Sequence, residues 1–120
     1  MQRTLPLVND SFIAIDDNYD DTPVFKAIYR HEKELARKGR GNNNIYKPPR
    51  VIAIHKYVDS GNGKYFELEI EGNVESSYIV KLLYSDNYFY GACFCRYFLY
   101  RKKPCKHILA SIIFIKNNFL

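Results

Sequence analysis

The chain has 120 residues and a formal net charge of +5, a length that suits a single domain with a modest core. Aromatic residues make up 16 % of it and Gly and Pro are few, which excludes a disordered composition. No apolar run reaches the ~18 residues that span a bilayer, and residues 1–10 do not resemble a signal peptide. We therefore expect a cytoplasmic protein without a membrane segment.

The positive charge is concentrated in two parts of the chain. Residues 26–56 carry a net charge of +7, and residues 94–120 carry +6 with no acidic residue. The remaining parts, residues 1–25 and 57–93, each carry −4. Positive blocks of this kind are typical of proteins with an acidic partner, nucleic acid above all. A solvated surface is the alternative, and for a charge run alone it is the default.

In chain order, residues 1–21 form an N-terminal segment, in which the apolar residues 12–15 suit a short edge strand at 11–15. A helix is predicted at residues 22–38, because Asp21 or Thr22 can cap it, Pro23 suits its first turn and Gly39 can end it. Residues 39–49 are rich in Asn, Gly and Pro and predict a flexible connection.

Residues 50–92 predict antiparallel strands. Residues 65–71 alternate between apolar side chains and glutamates, the pattern of a strand with one buried face. Turn-forming residues separate the apolar segments, most clearly at residues 59–63, where the sequence reads D-S-G-N-G. The four predicted strands cover residues 51–58, 65–71, 76–84 and 88–93.

All three cysteines fall in two short pairs, Cys93-x-Cys95 and Cys105-x-His107. Three cysteines cannot all pair within one chain, which favours an intracellular metal site over a disulfide framework. Four soft ligands are the number that a closed, tetrahedral structural zinc site takes. The sequence therefore predicts one structural Zn²⁺.

The one-residue gaps within the pairs need particular secondary structure. Residues i and i+2 share a face in a strand, so Cys93 and Cys95 can reach one metal from a strand end. In a helix such residues point ~200° apart, so Cys105 must precede a helix and His107 must lie in its first turn. Pro104 favours a helix start at this position.

The last helix should begin near Lys106, and it is apolar on nearly every side through Ile115. A helix of this kind must be covered widely. Two interpretations remain open here: a well-buried core helix, or a helix whose excess apolar surface contacts a protein partner or a second copy of the chain.

The segment between the two ligand pairs is a predicted basic loop with interleaved aromatic residues. Its cations could meet phosphates and its exposed rings could stack on bases. The candidate nucleic-acid contacts are Arg96, Tyr97, Tyr100, Arg101, Lys102, Lys103 and Lys106. Alternatively, Phe98 and Leu99 fold under the metal site and the lysines merely neutralise its charge.

Catalysis has little support in the sequence. A site with three cysteines and one histidine leaves no position for water or substrate. We see no pair of acids and no Gly-rich phosphate loop, so we expect a protein that is not an enzyme.

With its Cys-x-Cys and Cys-x-His pairs and the run P-C-K-H-I-L-A, the segment from residue 76 to 116 resembles the SWIM zinc finger. It is similar to small, nearly stand-alone archaeal SWIM proteins, and it departs from the family where Arg96 replaces a frequent Pro. The resemblance implies binding to DNA or to protein without separating them. DNA binding is our first hypothesis, and an interaction adaptor in recombination or repair is the alternative.

Together these observations predict an α+β fold in one domain, residues 1–120. It comprises a four-stranded antiparallel β-meander, an N-terminal helix and a C-terminal helix pinned by zinc, with residues 93–120 forming the finger.

Overall fold

The computed structural model describes residues 12–15, 19, 22–38, 49–72 and 76–120, and it describes the side chains of residues 31–38 no further than their place in a helix. In this part of the chain a short strand and a helix precede four consecutive strands, and two helices follow them. The elements are β1 (Ile13–Ala14), α1 (Pro23–Lys38), β2 (Val51–Asp59), β3 (Gly63–Glu71), β4 (Ser77–Ser85), β5 (Tyr88–Ala92), α2 (Arg96–Arg101) and α3 (Lys106–Asn118).

The strands form one antiparallel sheet in the order β1-β5-β4-β3-β2. Strands β2 to β5 are the predicted meander, and tight turns join β2 to β3 and β4 to β5. At the β2–β3 turn, Gly61 has a φ of +87° and its N–H donates to the Asp59 carboxylate at 2.9 Å. Asp86 and Asn87 both have positive φ between β4 and β5, which is the hairpin geometry that matches strand twist.

The prediction of four strands was wrong by one, because β1 adds a fifth at the sheet edge. Its two residues pair with β5, and the N–H of Ile15 donates to the carbonyl of Phe89 at 2.9 Å. Ile15 is 3 % exposed. The strand exists because it satisfies the open edge of β5 and buries an apolar side chain, as the apolar residues 12–15 suggested.

Helix α1 begins as its capping residues predict. The hydroxyl of Thr22 accepts the N–H of Phe25 at 3.2 Å, and Pro23 occupies the first helical position. Phe25 and Ile28 are buried against α3. Helix α3 thus packs on α1 with one side and on the sheet with the other.

Helix α3 is the centre of the core. Ile108, Ile112 and Ile115 are fully buried among the side chains of β3 and β4, while Leu109 and Ile113 are buried against α1. The structure therefore favours the core interpretation of this helix. Its apolar residues are used inside the protein, so a partner would meet mainly half-buried Phe114 and the polar C-terminal end.

The segment predicted as a basic loop is partly helical, which corrects the prediction. Six of its residues form α2, and Lys102 ends this helix in the left-handed conformation with φ 53°. Its N–H donates to the carbonyl of Phe98 at 2.9 Å. The helix forms because Phe98, which is 1 % exposed, anchors it in the core.

Some predictions fall outside the described residues. These include the flexible connection, apart from Pro49, and most of the N-terminal segment. The single-domain organisation stays a prediction. Among the helices of the described ranges, none is long and apolar enough to cross a membrane.

Candidate metal centre

The first ligand pair begins directly after β5, which ends at Ala92, one residue before the strand end that the sequence predicted. Cys93 and Cys95 are buried, and Phe94 between them is 54 % exposed. This alternation continues the period of the strand, in which residues i and i+2 share a face. The extended backbone therefore places both sulfur atoms on the same side of the chain, just beyond the end of β5.

The second pair lies at the start of α3, as the one-residue gap required. Cys105 is the N-cap residue, with an extended φ of −86° and ψ of 171°, and His107 is the second helical residue. Pro104 precedes them and stops a helix from forming earlier. The change from extended to helical backbone turns both side chains towards the first pair.

The four side chains meet at one point. Their candidate ligand atoms all lie within 4.8 Å of one another, and all four residues are buried. Cys93 Sγ lies 3.9 Å from His107 Nδ1. Tetrahedral zinc with Zn–S bonds of ~2.3 Å places its sulfur ligands ~3.8 Å apart, so the arrangement fits a zinc ion. The three cysteines are free of disulfide bonds.

The buried thiols lie close enough to shift one another's pKa. The thiol of Cys105 donates a hydrogen bond to Cys93, which lowers the pKa of Cys93 to about 4 and raises the pKa of Cys105. Burial raises the pKa of Cys95. Three buried thiolates side by side would repel one another, and a divalent cation is the partner that compensates for them.

The structure also shows a neighbour of the site that sequence reasoning missed. Tyr78, at the start of β4, packs against the imidazole of His107 with ring centroids 4.8 Å apart. The hydroxyl of Ser111 donates to the carbonyl of His107 at 2.7 Å. The ring contact helps to fix the orientation of the imidazole, as outer-shell partners of metal-bound histidines do, whereas the Ser111 bond runs to the backbone of α3. The Tyr78 contact has no local sequence signal, while Ser111 has the four-residue spacing of a serine that bonds back within its own helix.

The seven candidate nucleic-acid contacts are all exposed. Tyr100 is 85 % exposed and Tyr97 50 %. The guanidinium of Arg101 lies 5.9 Å from the centroid of the Tyr97 ring. The alternative was that Phe98 and Leu99 fold under the metal site. It holds for Phe98, which is buried, but fails for Leu99, which is 50 % exposed.

His55 is not brought to the metal group. It lies on β2, where its Nε2 is 2.8 Å from the carboxylate of Glu69 on β3. This exposed contact across two strands indicates a structural or surface role for His55.

Comparison with known protein families agrees with the geometry. Residues 91–116 match the family model of the SWIM zinc finger, which covers the end of β5, both ligand pairs, α2 and most of α3. The chain therefore contains a SWIM zinc finger, a binding module rather than a catalytic domain. No curated protein and no solved structure matches the chain at a significant level.

The residues present fit one structural zinc ion, held by Cys93, Cys95, Cys105 and His107. Four protein ligands would leave the ion no open coordination position, and through them it would join the end of β5 to the start of α3.

Proposed function

We propose that this chain, with its SWIM zinc finger at residues 91–116, is a non-enzymatic protein that binds nucleic acid, DNA in the first place, through α2 and the residues up to Lys106. The observation that supports this most is exposure. All seven basic and aromatic candidates lie on the surface. Phe98 anchors α2, which carries four of them, in the hydrophobic core that also contains the three cysteines.

Charge supports the same surface. Residues 94–120 contain six basic residues and no acidic one, so their field is not cancelled by neighbours in sequence. A zinc ion with three thiolates and a neutral imidazole carries one net negative charge. The surface cations Arg96, Arg101, Lys102, Lys103 and Lys106 outnumber it. A polyanion approaching this face would meet a positive surface.

Aromatic exposure adds a second type of contact. Tyr97 and Tyr100 present half or more of their surface to solvent on a helix that the fold keeps in place. Exposed rings beside cations are the combination that binds unpaired bases, because each base offers a face for stacking.

A salt titration tests the proposal. The binding of labelled single-stranded and duplex DNA is measured across a range of salt concentrations. The test variant combines Arg101→Gln, Lys102→Asn and Lys103→Gln, with Asn chosen because it tolerates the left-handed backbone at position 102. The slope of log K against log salt should become shallower by about 2–3, since each lost phosphate contact contributes ~0.7–0.9.

The matched control removes two cations from the sheet and one directly before β2, with Lys56→Gln, Lys81→Gln and Arg50→Gln. This variant has the same net charge as the first and should keep most of the affinity and slope. Equal losses in both variants would indicate a nonspecific effect of net charge. The absence of binding at low salt would overturn the proposal.

A protein-interaction adaptor, possible in DNA recombination or repair, is the second candidate. Burial of α3 removes the surface that this hypothesis first relied on. Exposed apolar side chains on the finger favour it instead, since Phe94 and Leu99 are 54 % and 50 % exposed.

Light scattering of the wild type and of Phe94→Ser/Leu99→Ser tests self-association. Pull-down from the native host tests other partners, and a strict monomer without a partner counts against this candidate.

A further inference from the structure

A cavity of about 500 Å³ opens beside the metal group. It lies where the first turn of α1, the start of β4 and the N-terminal turns of α2 and α3 come together. Cys95, Cys105 and His107 contribute to its wall, and the other lining residues are Val24, Tyr78, Arg96, Tyr97, Pro104 and Lys106. Its size falls within the ~300–1,000 Å³ of typical small-ligand sites.

The lining combines positive charge with aromatic rings. Arg96 and Lys106 enter from two different helices, and none of the residues that line the cavity is acidic. The two cations outnumber the single net negative charge of the zinc centre. Tyr97 stays half exposed, whereas Tyr78 is held by its contact with the His107 ring. An anionic ligand with a flat ring matches this lining better than an apolar one.

We propose that the cavity holds one unpaired nucleotide of a bound nucleic acid, with its phosphate near Arg96 and Lys106 and its base against the rings of Tyr78 and Tyr97. The inference rests on the proposed function and specifies the substrate class of the same face. A base within a duplex reaches such a cavity only after unstacking, which costs a few kcal/mol. The protein should therefore prefer single-stranded over duplex nucleic acid.

Val24 offers a direct test, because it lines the cavity from α1 and belongs neither to the zinc ligands nor to the basic candidates. It is 41 % exposed and follows Pro23, the first residue of α1. Val24→Glu places a carboxylate beside the expected phosphate, and Val24→Gln is the neutral control of equal size. An acidic residue at a helix N-terminus is favourable, so Val24→Glu should still fold.

The probes are oligodeoxythymidylate and a DNA duplex of the same length, each at low salt. We expect Val24→Glu to weaken single-strand binding about tenfold relative to Val24→Gln, the size of losing one stacked base, and to leave duplex binding nearly unchanged. Ile52→Glu adds the same charge on exposed β2 and should affect neither probe strongly. Val24→Lys should strengthen single-strand binding.

The other outcomes separate this inference from the proposed function. Equal single-strand affinity in Val24→Glu, Val24→Gln and Val24→Lys overturns the cavity assignment, although the proposed function stands if Arg101, Lys102 and Lys103 still set the salt slope. Binding of neither oligonucleotide overturns both. Binding of an acidic peptide that Val24→Glu abolishes, without oligonucleotide binding, would assign the cavity to a protein partner and overturn the inference.

Discussion

Cys95 accepts a hydrogen bond from the backbone N–H of Phe98, with 3.5 Å between sulfur and nitrogen. One side chain therefore acts both as a zinc ligand and as the N-cap of α2. A six-residue helix has few hydrogen bonds of its own and depends on its ends and on packing. The zinc centre and the surface proposed to bind nucleic acid are coupled through this sulfur atom.

We predict that removal of zinc by a chelator loosens α2 first and the rest of the C-terminal third after it. Without the metal, Cys95 is no longer fixed in position, and α2 keeps only its anchor through Phe98. Hydrogen exchange followed by mass spectrometry measures this. Exchange should accelerate strongly for peptides covering residues 96–105.

The sheet supplies an internal reference for this experiment. Amides of β3 and β4 lie in the middle of the sheet and should respond later than α2. Simultaneous loss of protection in both regions would contradict local coupling, because it would mean that the protein unfolds as one unit when zinc is removed.

Cys105→Ser should unfold the C-terminal third of the chain. Cys105 occupies the N-cap position of α3 without a side-chain capping hydrogen bond, so the metal is what would hold it there, and α3 is the helix around which the core is packed. Free energy of zinc binding, on the order of 10 kcal/mol in small zinc domains, contributes directly to folding. Circular dichroism and zinc content should fall together. The control is Phe94→Ser, an exposed position between two ligands, which should retain one zinc per chain. Full stability of Cys105→Ser without zinc would refute a structural role for the metal.

The metal centre was predictable because its determinants are local. Four ligand types at fixed spacing, with Pro104 before the second pair, restrict the backbone to a strand end and a helix start, and both are observed. The β2–β5 meander was predictable for a similar reason. Alternating side chains define the faces, and turn residues such as Gly61 define the reversals.

Features that depend on tertiary contacts could not be predicted in the same way. The six residues of α2, five of them basic or aromatic, carry little helical signal, and α2 forms because Cys95 caps it and its Phe98 side chain is buried in the core. The two-residue strand β1 has meaning only beside the edge of β5. Tyr78 meets His107 across the fold, and no spacing rule connects residues so far apart in sequence.

Close packing of the sheet against α3 at Gly91 gives a third prediction. A Cβ at this position would lie 2.9 Å from Leu82 Cδ2 and 3.6 Å from Ile108 Cγ2. Leu82 and Ile108 are fully buried, so the Leu82 side chain has little room to move. We expect Gly91→Ala to lower the free energy of unfolding by about 1–3 kcal/mol, as overpacked cores do. Urea denaturation measures this free energy. The double variant Gly91→Ala/Leu82→Ala lacks the clash, so in a double-mutant cycle the two changes together should cost less than the sum of their separate costs. Strict additivity of the two changes would argue against the contact.

Phe98 and Tyr100 are two aromatic residues of the same short helix with opposite environments. Phe98 is 1 % exposed and Tyr100 85 % exposed. Phe98→Ala should cost about 3–5 kcal/mol of stability, the usual range for a buried phenylalanine. Tyr100→Ala should leave stability within ~0.5 kcal/mol, because its ring touches little of the protein.

The effects on binding to single-stranded DNA should have the reverse order. When both variants are folded, Tyr100→Ala should lower the affinity more than Phe98→Ala does. Tyr100→Ala should weaken binding by about 1–3 kcal/mol if its ring stacks on a base, whereas Tyr100→Phe should retain the affinity because it keeps the ring. Thermal denaturation and fluorescence anisotropy on the same samples measure both quantities. Unchanged binding in Tyr100→Ala would remove this ring from the proposed surface. A large loss of stability in the same variant would show instead that Tyr100 supports the fold, which its exposure argues against.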